Sequence, residues 1–378
     1  MKIYLDYAAT TPIDKDVKKE MLPFLTEKFG NPSSLHDFGQ EALLAIDDAR
    51  EKVADFLNAE SREVVFTSSA TEANNLAILG TLEKGDHAIT SSFEHKAVLE
   101  PFKKSGNDVD YIPVYKNGIV KTEDAFKKIK ENTKLISIMY VNSEVGTIQP
   151  IKEIGEGIKK LNKNRKNKIV FHTDASQAAN YLSCDVNELN VDLLTLSGHK
   201  IYGPKGAGVL FVREGIKLSP IFYGASQERG LSSGTENVPA IVGLGSAILN
   251  IKKNDIKETR RLRDKLIDSV LNNIVGAKLN GDREKRIPNN VNISFNGVEG
   301  ESLMIALNRE GVAVSTGSAC ASHSLSPSYV LLALGLSHEE AHSSLRITLG
   351  RMTTEKEIDY FLEKLPTIVY KLRKISGR

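Results

Sequence analysis

The stretch KIVFHTDASQAANYLSCDVNELNVDLLTLSGHKIYGPKGAGVLFV, residues 168–212, decides the fold. It holds three short apolar runs: Lys168–Thr173, Asp192–Leu196 and Ala207–Val212. Runs of that length, apolar at nearly every position, read as strands buried on both faces. Toward the N-terminus, Glu63–Thr67, His87–Ser91, Val109–Val114 and Lys134–Tyr140 repeat the pattern. Helical spacing fills the gaps at Ala70–Leu82, Lys96–Lys104, Thr122–Glu131 and Ile151–Asn162. This alternation predicts an α/β fold around a mostly parallel, seven-stranded sheet covered on both faces.

The flanks read differently. Ser34–Leu57 reads as one long helix, with Ile46, Val53, Phe56 and Leu57 on one stripe and Ser34 and Asp37 as a capping box. Beyond about Gly245 a charged helix, Asp255–Asn272, precedes strands near Asn290–Phe295, Val312–Ser315 and Ser344–Leu349. A last helix spans Thr354–Lys371. At about 150 residues per domain, 378 residues suit two domains. The second is a smaller α/β unit from about Lys252 onward.

Composition narrows the function. Lys plus Arg is 50 against Asp plus Glu 48, a net charge of +2, which argues against a surface devoted to nucleic acid. The basic run Lys159–Lys168 reads as a solvated face. Two cysteines, Cys184 and Cys320, form no Cys-x-x-Cys and suit a reducing compartment. The acid at Asp6 interrupts any signal core, and no apolar run is long enough to span a membrane. A cytoplasmic protein is expected.

Ligands of open parallel sheets sit beyond the carboxyl ends of the strands. Five predicted strands deliver polar residues there: Ser69-Ala70-Thr71, Glu94-His95, Asn142-Ser143-Glu144, Asp174 with Gln177, and Ser197-Gly-His199-Lys200. A lone lysine is ordinarily a surface residue. Lys200, between His199 and the turn Gly203-Pro204, can instead form a Schiff base with an aldehyde. Asp174 can pair with a protonated ring nitrogen, as pyridoxal phosphate requires. Such a pair at about 4 Å is worth about 4 kcal/mol at an effective dielectric near 20. Ala70 and Thr71 open a helix, where free N–H groups attract phosphate. Ser197 and His199 add donors, and His95 can stack on the ring. No phosphate-binding Gly-x4-Gly-Lys loop and no His-Glu-x-x-His zinc motif occurs.

Cys320 lies in a run of small and hydroxyl residues, Val314–Ser328, that cannot pack a core. An exposed thiol there is a strong nucleophile. Cys184, in contrast, reads as buried and inert.

The chain resembles the cysteine desulfurases of the NifS/IscS type, within the pyridoxal-phosphate enzymes called class V aminotransferases. The resemblance spans nearly the whole chain. It rests on Tyr4–Pro12, Phe29–Ser33, Ala70-Thr71-Glu72, Glu94-His95-Lys96, His172–Gln177, Ser197–Gly206, Gly317-Ser-Ala-Cys320, and Arg346 before Gly350–Thr354. It implies pyridoxal-phosphate fold type I, with a large domain over 14–251. The small domain, 1–13 with 252–378, carries the catalytic-cysteine loop. It implies a homodimer with sites at the interface. Lys200 is then the Schiff-base lysine, Asp174 meets the ring nitrogen, Gln177 lies near the ring oxygen and His95 stacks. Asn142 or Ser143 contacts the ring hydroxyl. Ala70, Thr71, Ser197 and His199 hold the phosphate, with Thr235 reaching in from the partner subunit. Arg346, helped by Asn31, binds the substrate carboxylate. Cys320 takes sulfur from L-cysteine as a persulfide, leaving alanine.

The implied partners are a sulfur-acceptor protein, such as an iron–sulfur scaffold, or the machinery of tRNA thiolation. No resident metal is expected, although Cys320 would transiently ligate an iron–sulfur cluster with a partner. The chain departs from the family at Ser143 for Asn, Ser69 for Gly and Ser232 for Arg. Two alternatives stand beside this reading. One is a selenocysteine lyase or plain aminotransferase. The other is a weakly active sulfur-carrying assembly partner.

Overall fold

The computed structural model describes residues 2–251, 255–317 and 326–375. Its centre is a seven-stranded sheet. In spatial order the strands are Val64–Thr67, Gly208–Val212, Leu193–Ser197, Val170–Asp174, Thr133–Ser137, His87–Ser91 and Asp108–Ile112. Gly208–Val212 runs antiparallel to both neighbours, and the pairs beyond Leu193–Ser197 are all parallel. Four of the strands are buried at every position, which explains their unbroken apolar texture. The edge strand Asp108–Ile112 is only partly buried and carries charges instead.

Helix Asp37–Leu57 buries Ala42, Ile46, Ala49, Val53 and Leu57 in one stripe. It starts later than the sequence pattern predicts. The His36 ring accepts from Gly39 N–H and caps it, while Ser34 N–H closes a turn on Asn31 O. Asn58, in the left-handed region at φ 53°, ends it. Against it packs Val238–Leu249, a helix with no counterpart in the sequence reading. A Cβ on its Gly245 would stand 2.9 Å from Ala49 Cα, so glycine permits the close crossing. The predicted helix Thr122–Glu131 stops at Lys127.

A second apolar core gathers Leu262, Leu266, Val291, Ile293, Phe295, Leu345, Ile347, Phe361 and Leu365. Its antiparallel sheet runs Ser344–Thr348, Asn290–Phe295, Ala277–Leu279. Helices Ile256–Asn273, Gly300–Arg309 and Glu355–Ile375 cover it. The chain's first residues join this core. Ile3–Tyr4 pairs in parallel with Val312–Ala313, and Ile3 and Leu5 are buried there. From Leu5 the chain crosses to the other core, passing over the carboxyl end of the large sheet. Among the described residues, no helix is long and apolar enough to cross a membrane.

Candidate active site

A cleft of about 260 Å³ opens at the carboxyl end of the large sheet. It is lined by Ala70 and Thr71 from one helix start, by His95 and Ser143, and by Asp174 and Gln177. Ser197, His199 and Lys200 close one side, and Arg346 reaches in from the smaller sheet. The strand–helix alternation thus brings most of the predicted residues together.

Asp174 is the last residue of its strand. Asn74 Nδ2 donates to Asp174 Oδ2 at 2.7 Å, and Ser176 N–H donates to Oδ1 at 2.9 Å. Both donors lock the carboxylate while leaving it open to the cleft. His172, two residues earlier, is fully buried between Ser137 Oγ at 2.8 Å and Thr195 Oγ1 at 3.1 Å. Burial pushes its imidazole down to about 4, leaving it neutral at pH 7. It is therefore no competing cation for Asp174.

Lys200 sits on a turn, Gly198–Lys200, directly after strand Leu193–Ser197. Its Nζ donates to Ala8 O at 2.5 Å and Ala9 O at 2.7 Å. Its own carbonyl accepts from Asn180 Nδ2 at 2.7 Å. The neighbouring His199 contacts Thr10 Oγ1 through Nδ1 at 3.1 Å. Burial, with Lys200 and Lys205 nearby, pushes His199 down to about 4. The N-terminal crossing segment therefore forms one wall and holds the lysine.

Helix Ala70–Leu79 points its N-terminus at the cleft, with Ser69 as its cap. A Cβ on Gly208 would stand 2.5 Å from Ser69 C and 2.7 Å from Ala70 N. The adjacent strand therefore supports the helix start at van der Waals distance. His95 caps the next helix, its Nδ1 accepting from Ala97 N–H at 3.1 Å. Beneath it, Glu94 is wholly buried and accepts from Ser91 Oγ at 2.5 Å and Met139 N–H at 3.0 Å. Burial pushes its carboxyl up to about 8.

Arg346 is buried in strand Ser344–Thr348. Its Nη2 donates to Asp6 Oδ1 at 2.8 Å and its Nη1 to Ser143 O at 3.3 Å. Its Nε has no partner among the described residues. Asn74 Oδ1 and Ser176 Oγ, both at the cleft, are likewise buried and unpartnered. Unmet buried polar atoms are costly, and these three flank the places where a ring and a carboxylate would lie.

Three predicted residues lie elsewhere. Asn142 does not line the cleft: its Oδ1 accepts from Glu144 N–H at 2.9 Å and Val145 N–H at 3.0 Å, and its Nδ2 donates to Phe93 O at 3.1 Å. The amide is consumed by its own turn, and Ser143 faces the cleft instead. Asn31 is exposed, with Oδ1 on Ser33 N–H. Thr235 is exposed and does not line this chain's cleft. Cys320 lies outside the described residues. Cys184 is buried, which pushes its thiol up to about 12 and keeps it protonated. Ser232, where the resemblance expects Arg, donates to Glu72 Oε1 at 2.6 Å.

The sequence reading missed Asn74, Ser176, Asp6 and the carbonyls of Ala8 and Ala9. Asn74 lies one helical turn after Ala70 on the same helix, and the others fall inside the stretches Tyr4–Pro12 and His172–Gln177 without a role given to them.

Pyridoxal phosphate fits these residues. Asp174 and the unmet atoms of Asn74 and Ser176 suit a protonated ring, Lys200 an aldehyde, and the helix start a phosphate. Among the described residues no cluster suited to a metal ion occurs. Comparison with known proteins agrees. The Aminotransferase class-V profile matches residues 3–361. A curated relative named cysteine desulfurase IscS, from Dictyoglomus turgidum, is 49% identical over 99% of this chain and 96% of its own. A solved structure titled NifS-like protein superposes with a TM-score of 0.91 at 39% identity, over 98% of this chain and all of that one. Another, titled SspA in complex with cysteine, gives 0.82 at 38% identity over 93% of this chain and 100% of its own. With the family profile, the relatives and the fold agreeing along nearly its full length, the chain belongs to the class-V aminotransferase family.

Proposed function

We propose that this chain is a pyridoxal-phosphate-dependent cysteine desulfurase that converts L-cysteine to L-alanine and holds the released sulfur as a persulfide on Cys320. The observation that carries the reading is the convergence of Lys200, Asp174 and Arg346 on one cleft, in a chain 49% identical to a named cysteine desulfurase.

Position in the cleft supports these roles. Bound there, the cofactor supplies an electron sink for the substrate's α- and β-carbons. Asp174 would face the ring nitrogen, His95 the ring face and Gln177 the ring oxygen. The N–H groups of Ala70 and Thr71, with Ser197 and His199, would hold the phosphate. Arg346 receives the substrate carboxylate on the side of its unpartnered Nε, a charge-assisted contact suited to its planar fork. Lys200 Nζ, steered by two carbonyls, carries the α-proton. Cys320 as thiolate attacks the substrate sulfur. An S–S bond forms, the Cβ–S bond breaks, and the carbon takes up a proton on the way to alanine.

The partners belong to the same proposal. Leu25, Phe29, Leu35, Phe38 and Leu44 are exposed on one continuous segment. That patch, beside Asn31, supports a homodimer in which Thr235 serves the partner's cleft. The separate apolar core around the smaller sheet, which Ile3 and Leu5 join, supports a division into 14–251 and 1–13 with 252–378, while Val330, Leu331 and Leu334 pack on the core of the large sheet. A sulfur-acceptor protein and a cytoplasmic setting complete the reading.

The test is an absorbance spectrum of the purified protein before and after L-cysteine, with alanine assayed in the same sample. A visible cofactor band that changes on addition, with alanine formed, is expected. A band without alanine would favour an aminotransferase, and no band would undo the role of Lys200.

A further inference from the structure

The cleft has a neighbour that the reading above leaves unused. Glu144 is 1% exposed and follows Ser143 directly. Its side chain meets two segments that are far apart in sequence. Ser328 Oγ donates to Glu144 Oε2 at 2.5 Å. On the other side is Gly317, at φ 96°, where a Cβ would stand 2.9 Å from the same Oε2. Glycine suits that backbone angle, and any Cβ there would press on the Glu144 carboxylate. Gly317 lies three residues before Cys320, and Ser328 eight after it.

The backbone of the same dipeptide is tied to the smaller sheet. Glu144 O accepts from Asn290 Nδ2 and Asn292 Nδ2, both at 3.2 Å. Asn292 is the register partner of Arg346, and Arg346 Nη1 donates to Ser143 O at 3.3 Å. One short segment therefore joins the arginine proposed for the substrate carboxylate to both described flanks of the cysteine-bearing segment.

We propose that Glu144 is a positioning residue for sulfur transfer, fixing the stems at Gly317 and Ser328 relative to Arg346. It touches neither substrate nor cofactor in this role. The proposal rests on the desulfurase reading. It separates two events: cofactor and substrate binding, which need Lys200, Asp174 and Arg346, and capture of sulfur by Cys320, which needs the stems placed.

The test uses the purified holoenzyme and its Glu144→Ala, Glu144→Gln and Ser328→Ala variants. Three readouts are taken: the visible cofactor band and its change on L-cysteine, the rate of persulfide formation on Cys320 by quenched mass spectrometry, and the thermal midpoint. Glu144→Ala and Ser328→Ala should keep the spectral response and slow persulfide formation about tenfold to a hundredfold, the scale of a buried hydrogen-bond partner left unsatisfied. Glu144→Gln keeps length and an acceptor, and should stay within about threefold on the same scale. Wild-type persulfide rates in Glu144→Ala would overturn the proposal. So would a parallel loss of the spectral response and the persulfide in both alanine variants, which marks a merely structural role. Absence of persulfide in the unsubstituted enzyme would overturn the desulfurase reading itself.

Discussion

Asp6 and Arg346 stand 340 positions apart in the chain and 2.8 Å apart in space, joined Oδ1 to Nη2 at the mouth of the cleft. Both side chains are largely buried. The pair orients the guanidinium and leaves Nε turned to an unfilled partner. Removing one half of a buried pair strands the other charge. Asp6→Asn should therefore raise KM for L-cysteine about tenfold, equal to ~1.4 kcal/mol, and lower the thermal midpoint. An unchanged KM in steady-state assays would mean that Arg346 is oriented by other contacts.

Asn74 has a similar relation to Asp174, with one amide proton on the carboxylate and one buried oxygen without a partner. Hydrogen bonds to charged groups contribute about 1.5–3 kcal/mol. Asn74→Ala should weaken pyridoxal phosphate binding about tenfold to a hundredfold by equilibrium dialysis. Unaltered affinity would show that Ser176 N–H alone holds Asp174.

Lys200 is the residue whose loss has the simplest readout. Borohydride reduction of the cofactor-loaded protein should leave a covalent adduct on the peptide carrying Lys200. Lys200→Ala should give no adduct at any site while retaining noncovalent cofactor. An adduct on another lysine would move the assignment.

Glu94 gives a pH prediction. Its folded carboxyl is pushed up to about 8 by burial, from an ordinary value of 4.5. Between those values the folded state holds the proton more tightly than the unfolded chain. Its stabilising contribution is then full below about 4.5 and is lost as pH rises through about 8. Glu94→Gln removes this dependence. The parent's urea-unfolding midpoint should fall relative to the variant's as pH climbs from 4.5 to about 8. His172 and His199, pushed down to about 4, act with the opposite sign, and their effect is complete above about 6.5. A difference independent of pH would place a charged Glu94 in the core.

The large sheet was legible because strands buried on both faces are apolar without interruption. His87–Ser91 and helix Ile151–Asn162 match their sequence bounds. Val238–Leu249 was not legible, because small and apolar residues on nearly every side show no helical period. The short strand Ile3–Tyr4 depends on a partner at Val312–Ala313, which no local pattern encodes. The site shows the same division. Residues at or just past strand ends, such as Asp174 and Lys200, follow from the α/β rule. Asn142 and Ser143 could not be ordered, since a one-residue step in a turn decides which side chain faces the cleft. Asp6, Asn74 and Glu144 act through tertiary contacts spanning 100 residues or more.

The most direct test of the central claim counts sulfur and alanine together. The holoenzyme is mixed with a limiting amount of L-cysteine without reductant, quenched, and assayed for alanine and for a mass gain of one sulfur on Cys320. Equal amounts of alanine and Cys320 persulfide are predicted, with neither formed by Cys320→Ala while its cofactor band persists. Alanine produced by Cys320→Ala at the parent rate, or alanine without added sulfur on Cys320, would contradict the account.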